Sequence, residues 1–130
     1  MAAASVTHRI LIAEDEADIR ELLRLALTAA GYEVETAPDG GVALELAVAR
    51  PPELVVTDLR MPAMDGLELI RALRSEPSLS RTPVILFTAY VSSDPRVSEA
   101  GQLGGVEVVT KGSLAELRRV VARVLRGEAA

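Results

Sequence analysis

The sequence predicts an α/β fold: a doubly wound, five-stranded parallel sheet with helices on both faces. Two observations carry this. Five short β-branched or apolar runs alternate with five stretches patterned at helical spacing, and parallel neighbours need such crossovers, which are right-handed. The two middle runs, Leu54-Val55-Val56 and Val84-Ile85-Leu86-Phe87, are apolar throughout, as strands covered on both faces are. At 130 residues and 49% apolar content the chain has the size of one domain with one sheet-centred core.

Taken in order, the first strand is expected over Arg9–Ala13, where Glu14-Asp15-Glu16 stops the apolar run. In the helix that follows, Ile19, Leu22, Leu23, Ala26 and Leu27 recur at three and four residues, and Gly31 ends it as a C′ glycine. The second strand is Glu33–Ala37. Asp39 caps a second helix carrying Ala43, Leu44, Ala47 and Val48, which stops before Pro51-Pro52 because proline disfavours a helical residue ahead of it. The third strand runs Leu54–Asp58, and its helix from about Leu67 to Arg74. Val84–Thr88 is the fourth strand. Its helix, Pro95–Gln102, is weakly patterned. The fifth strand is Val106–Thr110. The last helix, Ser113–Arg126, turns Leu114, Leu117, Val121 and Val124 to one side, with Ser113 and Glu116 spaced as a capping box. Residues 1–8 form an N-terminal extension, 9–126 the domain and 127–130 a C-terminal tail.

Composition excludes several classes of function. With no Cys there are no disulfides and no thiolate metal ligands, which fits a reducing compartment. The run Ile10–Ala13 is too short for a signal segment, and no stretch approaches the ~18 apolar residues of a membrane span. A net charge of −5 and only three aromatic residues (Tyr32, Phe87, Tyr90) argue against direct nucleic-acid binding. Residues 1–66 hold twelve acids against five bases, so the first half is where a cation belongs. The basic residues are thirteen Arg and a single Lys, Lys111.

In a doubly wound sheet the ligand site lies beyond the carboxyl ends of the strands. There the sequence places Glu14-Asp15 after the first strand, Asp58 at the third, Thr88 at the fourth and Lys111 after the fifth. Carboxylates about 4–6 Å apart repel by roughly 3–4 kcal/mol per ionised pair at an effective dielectric near 20. A divalent cation removes that repulsion. An all-oxygen set suits Mg²⁺, whereas Zn²⁺ lacks ligands in a chain with no Cys and only His8 as imidazole. Carboxylates, Mg²⁺, an ammonium and a hydroxyl together make a site for a phosphoryl group, with a carboxylate as attacking nucleophile. Asp58 is best placed for attack, and the turn after it, with Pro62 and Gly66, can hold a carbonyl toward the metal. Blander readings exist. Acids at a helix start gain about 0.3–1 kcal/mol each from the dipole, Thr88 suits a strand, and Lys111 could be an ordinary surface residue. Against the last, a chain that uses Arg everywhere else keeps Lys where a compact point charge is wanted.

Glu14-Asp15, Asp58-x-x-Met61-Pro62-x-Met64-Asp65-Gly66, Thr88-Ala89 and Lys111, in order at successive strand ends, resemble the receiver domain of two-component response regulators. The resemblance covers nearly the whole chain. It implies a flavodoxin-like sheet of strand order 2-1-3-4-5 and a cytoplasmic protein. It implies Asp58 as phosphoacceptor, Mg²⁺ on Asp15, Asp58 and the main-chain carbonyl of Arg60, and Glu14 orienting a metal-bound water. Thr88 and Lys111 contact the phosphoryl group, and Arg60 and Tyr90 sit where such domains tune hydrolysis. The implied phosphodonor is a sensor histidine kinase or histidine phosphotransfer protein, and the only catalysis is of the domain's own phosphorylation and dephosphorylation.

Two positions depart from the pattern. Val108 stands where an aromatic switch residue is usual, and Lys111-Gly112 replaces the usual Lys-Pro. Output is therefore expected not to run through the common Thr–aromatic coupling. A phosphorylation-independent, pseudo-receiver-like interaction domain is the alternative. A phosphohydrolase on a related sheet needs a second acid two residues after the nucleophile, where this chain has Arg60. Arg119, Arg123 and Arg126 share one side of the last helix and read as a solvated face rather than a docking face. His8 reads as incidental. The four residues after Arg126 leave both a single-domain regulator and a piece of a longer chain open.

Overall fold

The computed structural model describes residues 7–89 and 93–127. Its strands are β1 (Arg9–Ala13), β2 (Glu33–Ala37), β3 (Leu54–Thr57), β4 (Val84–Thr88) and β5 (Val106–Thr110). The helices are α1 (Ala17–Ala29), α2 (Gly40–Ala49), α3 (Gly66–Ser75), α4 (Pro95–Gly101) and α5 (Leu114–Leu125). Every strand pairing is parallel, in the order β2-β1-β3-β4-β5. The winding reverses between β1 and β3, so the crevice opens where these two strands end.

Because successive side chains on a strand point to opposite faces, the sheet builds two cores. Leu11, Ala13, Val55, Val84 and Leu86 pack with α2, α3 and α4 through Ala43, Ala47, Leu69, Leu73, Val97 and Ala100. Ile10, Ile12, Val56, Ile85 and Phe87 pack with Leu23 and Leu27 of α1 and Leu117 and Val121 of α5. The sheet is thus covered on both sides, and its middle strands are buried at every position.

Helix ends follow from local chemistry. Gly31, with φ +100°, turns the chain out of α1. Asp39 caps α2 by accepting the Val42 N–H at 2.8 Å. Asp65 and Glu68 form a reciprocal capping box that starts α3 at Gly66, one residue earlier than periodicity alone suggested. The box expected at α5 is only half made. Ser113 Oγ accepts the Glu116 N–H at 3.1 Å, while the Glu116 carboxylate turns to Arg119. Strand β3 closes at Thr57 and α4 at Gly101, each one residue short of expectation. Asp58 therefore opens a loop, and its Oδ1 accepts the Leu59 N–H at 2.7 Å.

Candidate functional site

Ladder bonds continue one residue past three strands. The Glu14 N–H donates to Ala37 O at 3.0 Å, the Asp58 N–H to Ala13 O at 3.1 Å and the Lys111 N–H to Thr88 O at 2.9 Å. By the two-residue period, Glu14, Asp58 and Lys111 extend the face of Ile12, Val56 and Val109. Strand pairing alone therefore brings two acids and the single lysine to one edge of the crevice.

Their contacts are close. Lys111 Nζ lies 2.8 Å from Glu14 Oε1 and 2.8 Å from Asp58 Oδ2. Glu14 Oε2 accepts the Glu16 N–H at 3.1 Å. Asp15 joins from the solvent side, and one carboxylate oxygen from each of Glu14, Asp15 and Asp58 falls within a common 4.8 Å. Burial raises the Glu14 pKa above its ordinary value, outweighing the bonds from Lys111 and Glu16, and the Asp58 charge adds to the rise. Burial also works against the Lys111 charge, yet its bonds to Asp58 and Glu14 prevail and its pKa rises. One ammonium facing three carboxylates leaves negative charge in excess. All three donors are hard oxygens, so the set fits Mg²⁺.

The loop from Asp58 to Gly66 is held against the site by its backbone. The Gly66 N–H donates to Leu59 O at 2.8 Å, and a Cβ at position 66 would meet Asp58 O at 2.3 Å. Between them the Met64 N–H bonds Pro62 O at 2.7 Å across Ala63, whose φ is +66°. That is a γ-turn, in a conformation costly for a residue other than glycine. On the other side, Arg20 pins the β1–α1 loop by donating to Glu14 O at 2.8 Å and Asp15 O at 3.4 Å.

A family model, the response regulator receiver domain, matches residues 10–122. The chain belongs to that family. Among relatives of this receiver domain, the Escherichia coli regulatory protein AtoC is 40% identical over 92% of the chain. Caulobacter vibrioides response regulator PleD is 39% identical over 82%. The chain spans only 25% of AtoC and 23% of PleD, about a quarter of each. Solved structures that share the fold include the following two. The Thermotoga maritima response regulator TrrA, in complex with Mg²⁺ and beryllofluoride, is 34% identical, with TM-score 0.80 over 91% of this chain and 99% of its own. The receiver domain of a Pseudomonas aeruginosa sensor histidine kinase, with magnesium in its active-site cleft, is 27% identical, with TM-score 0.85 over 93% and 99%. Receiver domains take phosphate from histidine kinases, and the strand order here is theirs.

The receiver domain's remaining expected residues fall as follows. Thr88 ends β4, between β3 and β5, and is fully buried. Val108 pairs in register with Leu86 and packs on the core beneath α2, α3 and α4. The Arg60 side chain reaches Asp94 at 3.9 Å. Tyr90 lies outside the described residues. Among the described residues no peptide is cis, and Gly112 adopts φ +139° after Lys111. On α5, Arg119 is solvated as expected, but Arg123 is half-buried and bonds Glu107 of β5 at 2.8 Å. His8 pairs with Glu53 at the far end of the sheet. The sequence reading missed Arg20, Asp94 and Arg96, and it had Asp65 in the motif after Asp58 without its cap on α3 or its pairing with Arg96. Asp65-x-x-Glu68 and Asp94-Pro95 carried legible helix-start signals.

Proposed function

We propose that Asp58 accepts a phosphoryl group from a histidine kinase or histidine phosphotransfer protein and that the modified domain changes its partner binding. The observation that carries this reading is the Lys111 ammonium shared between Asp58 and Glu14 beside Asp15. Asp15, Asp58 and the Arg60 carbonyl are the residues to hold Mg²⁺, with Glu14 next to them. Bound there, Mg²⁺ supplies positive charge against the phosphoryl oxygens.

The chain's own groups divide the remaining work. Leu59 N–H holds Asp58 Oδ1, which leaves Oδ2, on the Lys111 side, as the attacking oxygen. An Oδ2–P bond forms as the donor's N–P bond breaks, and the electron pair leaves with the donor imidazole. Lys111 stays paired with Glu14 and turns its other N–H donors to the phosphoryl oxygens. Thr88 supplies a hydroxyl donor from the neighbouring strand end. An apolar groove between α1 and the start of α5, lined by Ile19, Leu22, Phe87 and Leu114, opens onto Lys111 and gives the donor its approach.

Acetyl phosphate with Mg²⁺, followed by intact mass, tests this. The expected result is an adduct of about 80 Da that chelation prevents and Asp58→Asn abolishes. No adduct on the wild-type chain overturns the reading and favours phosphorylation-independent binding, for which Val108 and Gly112 speak.

A further inference from the structure

Helix α4 is weakly anchored by apolar contacts. It has seven residues, of which Val97 and Ala100 are buried. Charged ties hold it instead. Arg96 is the second residue of α4, its Nη1 2.7 Å from Asp65 Oδ2 and its Nη2 2.6 Å from Asp94 Oδ2. Asp65 is the N-cap of α3 and Asp94 the N-cap of α4, so one guanidinium joins both helix starts. Arg60 Nη2 approaches the same Asp94 oxygen at 3.9 Å. Farther along, Arg71 pairs with Glu99, and Arg74 donates to Gly104 O and Thr82 O.

Two members of this chain of charges, Arg60 and Asp65, sit on the loop that leaves Asp58. That loop is packed against the site, because Gly66 lies on the Asp58 carbonyl and bonds Leu59 O. On the β4–β5 side Val108 is a side chain too short to swing between two positions. Alternating Arg60, Asp94, Arg96 and Asp65 is, among the described residues, a direct physical connection from the loop after Asp58 to α4.

We infer that the Arg60–Asp94–Arg96–Asp65 ion chain is a latch that holds α4 in its unphosphorylated position. The inference rests on the reading of Asp58 as phosphoacceptor. A phosphoryl group adds nearly two negative charges two residues from Arg60. It competes with Asp94 for that guanidinium, whose 3.9 Å contact is the longest of the chain. With Arg60 drawn off, Asp94 loses one of its two arginines, Arg96–Asp65 is left as the one tie of this ion chain to the loop, and the hold on α4 is loosened. Linkage requires the reverse as well: a chain whose latch is cut binds a phosphoryl mimic more tightly.

Mg²⁺ with beryllofluoride, followed by amide NMR on the full chain, is the test. In the wild type, amides near Asp58, Thr88 and Lys111 shift on addition, and so do those of residues 94–101. In Arg96→Met without ligand, the amides of 94–101 sit displaced toward their liganded positions, and beryllofluoride affinity rises by about fivefold or more. Asp65→Asn, which keeps an N-cap but loses the charge, gives the same directions should Arg96→Met fold poorly. A merely structural role would scatter the α4 shifts without that direction. Unchanged or weakened affinity, or α4 shifts unrelated to the liganded state, overturns the latch while site shifts persist. If the wild-type site amides do not respond at all, the phosphoacceptor reading falls and the latch with it.

Discussion

An ammonium 2.8 Å from each of two buried carboxylates is a fit that depends on a small, rotatable charge. A guanidinium is planar and wider, and cannot occupy that point between Glu14 and Asp58 without displacing one of them. Lys111→Arg keeps the charge and is expected to slow adduct formation from acetyl phosphate by at least about tenfold, since misplacement of about 1 Å at a reacting centre can cost more. Glu14 gives a second prediction. Its folded pKa is raised by burial above the ordinary 4.5, so the metal-free fold binds more protons than the unfolded chain in that window. Stability therefore falls as pH rises from the ordinary value through the raised one. Mg²⁺ affinity climbs over the same window, because the cation needs the carboxylate ionised. Glu14→Gln, whose single amide oxygen can accept from Lys111 or from the Glu16 N–H but not from both, removes the titrating group and should flatten both profiles. Thermal melts and Mg²⁺ titrations across pH 4–7 check this.

The loop and helix starts show what a sequence displays and what it hides. Gly66 was legible as a turn residue, but the reason for it is spatial: a Cβ would stand 2.3 Å from the Asp58 carbonyl. Gly66→Ala should cost about 1–3 kcal/mol by overpacking and also slow phosphorylation, because relief of the clash moves Asp58, the residue proposed to accept the phosphoryl group. Denaturant melts and adduct kinetics read the two effects separately. The middle strands were legible to within a residue because burial on both faces writes continuous apolar runs. Ties such as Arg74 to Gly104 O or Arg96 to Asp65 have no periodicity and join residues about thirty apart, so no local pattern announces them. The Asp94 carboxyl, held down to about 2 mainly by hydrogen bonds from Arg96, makes one such tie measurable. A depressed carboxyl contributes stability that is fully present above its ordinary 3.8 and is lost as pH falls through about 2. Amide protection in α4, taken relative to the intrinsic exchange rate at each pH, should hold at pH 4 and fall towards pH 2.

At the scale of the molecule, an acidic first half gathers three of its carboxylates in one place only through topology. Glu14 and Asp15 follow β1, Asp58 follows β3, and these strands are adjacent because the order is β2-β1-β3-β4-β5. Their convergence was legible because one rule, that sites lie beyond carboxyl ends where winding reverses, needs only the element order. Thr88, beside them at the end of β4, carries no such signal, since its hydroxyl also suits a buried strand end. Bringing three carboxylates within 4.8 Å against one ammonium works against the metal-free fold, so a cation bound only by the folded state should stabilise the whole domain. At free Mg²⁺ one hundred times its dissociation constant, linkage gives about 2.7 kcal/mol, and for a domain of this size the melting temperature should rise by roughly 10 °C. NaCl at equal ionic strength should reproduce little of that rise, because screening acts weakly on buried charges. Asp15→Asn should remove most of it, since its oxygen is the exposed ligand and contributes least to the fold without metal. A rise equally produced by NaCl, or retained in Asp15→Asn, would mean general relief of surface repulsion from the net charge of −5 rather than a site.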